Sequence, residues 1–301
     1  MSDMVTIEQG RLTARFRAQG AELTSLVHDG AERIWQADPA IWGWHAPNLF
    51  PIVGGLAGDR LLHQGKSYTL PSHGFLRHTV CELVRRTPTT CAWQLTDSAE
   101  TRAAYPFRFV LEIDYALEAE ALVGRFTLVN PGDEPLIASL GIHPAFQWPL
   151  APGLKREDHC LLFEQDEPAP IRRVVGKLIA PEPEPTPIQG RVLALHDGLF
   201  ANDAIIMDHP ASRAVTFGAP GGPAIAMDWE GLPHLGIWSK PGAPFLCIEP
   251  WQGYASPAGF DGEFARKPGT VSLAPGERRQ WRYRIRPLDR FAERSRAREG
   301  Q

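Results

Sequence analysis

A chain of 301 residues, 43% apolar and 22% charged, has the bulk of a globular protein and room for one large domain or two small ones. Its net charge of -4, from 31 basic and 35 acidic residues, leaves no basic excess to neutralise phosphates and argues against a nucleic-acid partner. No stretch reaches the ~18 apolar residues of a membrane span, and the opening MSDMVTIEQGRLTARF lacks the apolar run of a secretory leader.

Glycine and proline number 28 each, so many turns and many short strands are expected. In chain order, Val5 and Ile7, then Leu12, Ala14 and Phe16, alternate with polar residues on either side of Gly10, which predicts a hairpin with one buried face. Leu111, Ile113, Tyr115 and Leu117 alternate with Glu112, Asp114 and Glu118, and Phe126 and Leu128 continue the pattern. The run PEPEPTP, Pro181 to Pro187, cannot donate ladder hydrogen bonds and predicts an exposed loop within one domain. Trp281, Tyr283 and Ile285 alternate with Arg282, Arg284 and Arg286, a strand with a solvated outer face. No amphipathic pattern sustains a helix beyond about three turns. The fold class is therefore all-β, one domain over residues 1–288, with a charged tail over 289–301.

Four polar clusters interrupt the alternation. NLFPIVGGLAGDR, Asn48 to Arg60, is glycine-rich but matches no phosphate-binding signature. In LPSHGFLRH, Leu70 to His78, the glycine after His73 allows close approach of a ligand, and equally an ordinary turn. In SLGIHPAFQWPL, Ser139 to Leu150, the proline after His143 holds that imidazole extended at a strand end. PFLCIEPWQGYAS, Pro244 to Ser256, carries an apolar run into the carboxylate of Glu249, where the alternative to chemistry is a structural ion pair with an arginine. Histidine and glutamate at strand ends, with Trp148, Trp229, Trp238 and Trp251 nearby, suit a sugar: indole faces pack on C–H surfaces and the polar groups bind hydroxyls. A near-neutral imidazole and a carboxylate can also move protons at two oxygens. Asp228 and Glu230 in MDWEG fit a solvated turn better than a cleft wall. There is no HExxH or paired CxxC metal signature and no GxSxG elbow. The four cysteines, Cys81, Cys91, Cys160 and Cys247, read as free thiols in a reducing cytoplasm.

Taken together, NLFPIVG, YTLPSHGF, YPF at Tyr105, GIHPAF, NDAIIMD and PFLCIEPWQG resemble the aldose 1-epimerase (galactose mutarotase-like) family, and in particular its short bacterial branch. The resemblance runs from Gly20 almost to the end of the chain. It implies a large antiparallel β-sandwich and interconversion of the α and β anomers of a free aldose. It implies Glu249 as the base for the anomeric hydroxyl, His143 as the acid for the ring oxygen, His73 as a second histidine at the reacting centre and Asp203 as a ligand of ring hydroxyls. Trp238 is a further substrate-binding expectation. Two places depart from the family pattern. Gly55 stands where an arginine is usual, leaving Arg60 to supply the contact, and Gly236 stands where a glutamine is usual. The implied chemistry needs no cofactor, no metal, no nucleic acid and no membrane; a small sugar is the one partner, and the sequence sets no oligomeric state. A hexose-6-phosphate 1-epimerase, drawing on Arg60, Lys66, Arg77 and Lys240, and a non-catalytic carbohydrate-binding protein are the competing readings.

Overall fold

The structure, a computed structural model, describes residues 4–291. The first alternating segment forms the expected hairpin, Met4–Gln9 against Leu12–Arg17, turning at Gly10 and Arg11. The hairpin Val110–Glu118 with Ala121–Val129 turns through Ala119 and Glu120, both at positive φ (47° and 62°). That is the backbone of a primed two-residue turn, whose twist matches the strands, here formed without glycine.

Most strands lie in two antiparallel sheets. The larger has nine strands in the order Val192–Ala194, Cys160–Phe163, Ala214–Gly218, Ala224–Glu230, Arg278–Leu288, Ala121–Val129, Val110–Glu118, Thr90–Thr96 and Glu82–Arg86. The smaller runs Ile205–Met207, His234–Trp238, Phe245–Gln252, Leu140–Ile142 and Asn48–Leu49, and Ala145–Gln147 also pairs with Phe245–Gln252. Leu111, Ile113, Phe126 and Trp281 from the larger sheet share one buried cluster with Leu140, Leu235, Leu246 and Ile248 from the smaller. This is the β-sandwich core, and each fully buried aliphatic side chain in it contributes roughly 1.5–3 kcal/mol. The outer face of the larger sheet is polar: Arg284 pairs with Asp228 and Arg282 with Glu230, so those two acids lie on the outward side of a strand, Ala224–Glu230, and not in the expected turn.

A further sheet, Met4–Gln9, Leu12–Arg17, Glu22–His28 and Ala31–Glu32, joins this core through Phe16, whose ring stacks on Tyr115 at 4.2 Å. The buried Asn48 amide donates to the Gly20 and Ala21 carbonyls and to the Tyr115 hydroxyl, fixing that sheet to the edge of the smaller one. Among the described residues the sole α-helix is Ala99–Ala104, capped by Ser98, and no helix is long and apolar enough to cross a membrane. The proline run 181–187 is a loop, as expected, touching strand structure only where Glu184 bridges Ile171. Past residue 288 the chain stays attached. Asp289 pairs with Arg11, and Phe291 is buried, its N–H donating to the Gly222 carbonyl at 2.7 Å. The remainder of the expected tail, 292–301, lies outside the described residues.

Candidate active site

The strand Phe245–Gln252 is buried along its whole length. Leu246 and Ile248 point into the sandwich core, so by strand alternation Phe245, Cys247, Glu249 and Trp251 occupy the other face. At Glu249 and Trp251 that face floors a cleft of about 240 Å³, just under the usual range of ligand sites and suited to a single-ring molecule. A larger groove, about 470 Å³, lies on the outer face of the nine-stranded sheet among Arg191, Arg213, Arg284 and Arg286.

The strand beside Glu249 is broken. Leu140–Ile142 pairs with one end of Phe245–Gln252 and Ala145–Gln147 with the other, and the gap between them is His143–Pro144. Pro144 has no N–H to offer the ladder and holds His143 extended; its carbonyl accepts from Ile248 at 3.3 Å. The gap places His143 Nε2 3.2 Å from Glu249 Oε2. The two atoms approach without hydrogen-bond alignment, and Glu249 Oε2 and His143 Nδ1 are both buried with no hydrogen-bond partner.

His73 reaches the same cleft from a loop, its ring 5.8 Å from that of His143. It sits at φ 66° and is followed by Gly74, where a Cβ would lie 2.3 Å from the Phe50 carbonyl oxygen, so only glycine fits. His73 is locked to Gly54 twice: its N–H donates to the Gly54 carbonyl at 2.9 Å, and its Nδ1 accepts from the Gly54 N–H at 3.2 Å. With Nδ1 the acceptor, the proton of the neutral ring sits on Nε2. Asp203 stands exposed at the lip, its Oδ1 accepting from the Ala204 N–H.

Burial sets the proton affinities. It pushes the Glu249 carboxyl well above the usual carboxylate range, with Asp203 adding in the same sense. It pushes His143 well below ordinary imidazole, helped by His73, and lowers His73 to about 3, helped by Arg77. All three groups therefore favour their neutral forms.

Tryptophans shape the walls. Trp238 lines the cleft, while Trp42 stacks on His143 at 5.0 Å and meets Trp238 edge-on at 5.6 Å. Trp251 lies across two glycines: a Cβ at Gly141 would fall 2.3 Å from its ring, and one at Gly236 would fall 2.2 Å from it. The space that a side chain at position 236 would use is filled by indole. Trp148 and Trp229, by contrast, are core residues outside the cleft.

Arg60 is not in the cleft. It is exposed on Arg60–His63 and borders a separate small depression. At Gly55, where the family arginine was expected, a Cβ would lie 2.6 Å from Lys177 Cβ, because the hairpin of Val174–Val175 and Leu178–Ile179 packs over this turn. The cleft's guanidinium is Arg77, held by Ser72 and packed against Trp44, and Lys177 stands near it, paired with Asp59. Sequence reasoning missed Trp42 and Lys177 as lining residues. The Trp-Gly-Trp-His run at 42–45 was the available signal for the first.

The family profile described as aldose 1-epimerase matches residues 3–286. Protein LacX of Lactococcus lactis subsp. lactis is 30% identical over 283 residues, covering 90% of this chain and 95% of that one. Among solved structures, a galactose mutarotase related enzyme from Lactobacillus acidophilus superposes with a TM-score of 0.85 at 31% identity, covering 96% of this chain and 100% of the other. A galactose mutarotase-like protein from Lactobacillus casei gives 0.87 at 29%, over 94% and 99%. A galactose 1-epimerase from Lactobacillus acidophilus shares the fold, with a TM-score of 0.70 at 14% identity over 96% and 98%. An all-β sandwich bearing this cleft is thus an isomerase fold of the sugar-epimerising type. The chain belongs to the aldose 1-epimerase family.

Proposed function

We propose that this chain interconverts the α and β anomers of a free hexose or related aldose, with Glu249 and His143 as the proton-transfer pair. The observation carrying this is the 3.2 Å approach of two buried, otherwise unpartnered groups at the floor of a sugar-sized cleft. The pair cycles a single proton. With that proton on His143, Glu249 takes the anomeric hydroxyl proton while His143 protonates the ring oxygen. The C1–O5 bond opens to the aldehyde, and the retained proton rests on Glu249. Rotation about C1–C2 and the reverse transfers close the ring on the other face. Burial favours neutral His143 with protonated Glu249, the distribution of the open-chain intermediate. His73 Nε2–H is a fixed donor towards the reacting oxygens, Asp203 accepts from hydroxyls at the lip, and Trp238 and Trp42 pack on the ring's C–H surface. A cytoplasmic location belongs to the same proposal and is compatible with four cysteines that form no disulfide.

Polarimetric relaxation of freshly dissolved α-glucose and α-galactose tests this reading. Glu249→Gln is expected to lower the enzymatic rate by about 10²–10⁴-fold; an unchanged rate removes Glu249 from the reaction. Sugar binding by the native protein without any anomer exchange would favour a non-catalytic binding role. Arg77 and Lys177 in the cleft support a second reading, a sugar carrying an anionic group. Faster exchange of glucose 6-phosphate than of glucose would select it.

A further inference from the structure

One ring nitrogen of His143, the sulfur of Cys247 and a carboxylate oxygen of Glu249 lie within 4.8 Å of one another. Cys247 shares the cleft-side face of its strand with Glu249, two residues away, and is completely buried. We propose that these three side chains form a binding site for Zn²⁺ at the floor of the cleft. Tetrahedral Zn²⁺ with bonds of roughly 2.0–2.3 Å holds its ligand atoms about 3.3–3.8 Å apart, so the pair already at 3.2 Å needs almost no movement and the sulfur a small one.

The donor set selects the metal. One imidazole, one thiolate and one carboxylate suit a borderline cation, while Mg²⁺ and Ca²⁺ require oxygen cages that are not present here. Three protein ligands leave a fourth position, and because His143 and Glu249 line the cleft it opens there to water or a sugar hydroxyl. The carboxyl of Glu249 also lacks a full set of partners: among the described residues its one ion-pair contact is His143, and its Oε2 has no hydrogen-bond partner. A divalent cation provides a partner for that oxygen. On binding, the Cys247 S–H and Glu249 O–H bonds are replaced by bonds to Zn²⁺, and both protons leave to buffer. A second grouping, His28 with Asp29 and Asp289, is no competitor, since both carboxylates are already held by Arg11. The site stands independently of the epimerase proposal. If that proposal holds, Zn²⁺ engages both proton-transfer groups and inhibits in competition with sugar.

The test uses the full chain in a non-chelating buffer. Titrated with Co²⁺, the native protein should develop a near-ultraviolet thiolate-to-cobalt charge-transfer band that saturates at one ion per chain and is abolished by Zn²⁺. Cys247→Ser should lose the band and bind Zn²⁺ at least about tenfold more weakly by calorimetry, whereas Cys160→Ser should retain both. Folded native protein that gives no band overturns the proposal, as does a band or Zn²⁺ affinity unchanged in Cys247→Ser. Should the serine variant fail to fold, Cys247→Ala provides the same comparison. Because binding is read without turnover, a catalytically inactive protein that binds Zn²⁺ would refute only the epimerase reading.

Discussion

At the scale of single residues, the site works by making charge expensive. Glu249 is raised and His143 lowered by the same burial, so the pair holds one proton over a broad pH range. A second proton arrives only below the depressed imidazole pKa, and the last leaves only above the raised carboxyl pKa. A plot of kcat/KM against pH should therefore be bell-shaped, its acid limb below the 6.5 of free imidazole and its alkaline limb above the 4.5 of a free carboxyl. A single sigmoid climbing through 4.5, as from a lone exposed carboxylate, would contradict it. The same burial bears on stability. A carboxyl whose folded pKa is raised contributes stability that is complete below its unfolded pKa of ~4.3 and is lost as pH rises. The amide of Glu249→Gln escapes that loss. Its stability advantage over the native protein should grow from acid to alkaline pH in chemical unfolding, reaching about 0.5–2 kcal/mol. An advantage that shrinks as pH rises would reverse the assignment.

At the scale of elements, the contact of Trp251 with Gly141 and Gly236 accounts for one departure from the family pattern. A glutamine at position 236 and an indole at 251 compete for one volume. Gly236→Gln alone should cost about 1–3 kcal/mol, the usual effect of overpacking. Combined with Trp251→Ala it should recover much of that loss in a thermal melt, and additive losses would show that the two positions do not share space. This scale also marks what the sequence could disclose. Long hairpins such as Val110–Val129 were legible because alternation is a local signal that each strand carries by itself. Leu140–Ile142, Ala145–Gln147 and Ile205–Met207 are three residues each and too short to show a period, though they flank the site. Glu249, His143 and His73 stood out locally, at strand ends and beside a glycine, but their individual roles came through resemblance, since no spacing along the chain reveals convergence. Arg60 was misplaced for the same reason: proximity in sequence to Gly55 did not disclose that Lys177 covers that turn and that Arg77 enters the cleft from the 3-10 turn Leu76–His78.

At the scale of the whole molecule, the segment that follows the Phe245–Gln252 strand is anchored by an interior cation. Lys267 is 2% exposed, and its ammonium donates to the carbonyls of Tyr254 and Pro268. Burial lowers its pKa from 10.5 to about 7. Between those values the folded chain holds fewer protons than the unfolded one, so stability should rise with pH above about 7, by up to ~1.4 kcal/mol per pH unit. Urea unfolding from pH 7 to 9 should show the rise in the native protein and its loss in Lys267→Met. A slope identical in both would mean that the ammonium keeps an ordinary affinity for its proton.

The two-sidedness of Phe245–Gln252 has a consequence for how this protein can vary. Leu246 and Ile248 serve the interior, while Glu249 and Trp251 line the cleft on the opposite face. Deleting one residue of the strand before Glu249 would swap the two faces along the rest of it, sending the carboxylate into the core and Pro250 into the place the carboxylate now holds. Point changes can tune this strand, but a frame slip of a single residue extinguishes fold and reaction together, so lineages that alter its length should be absent among active descendants.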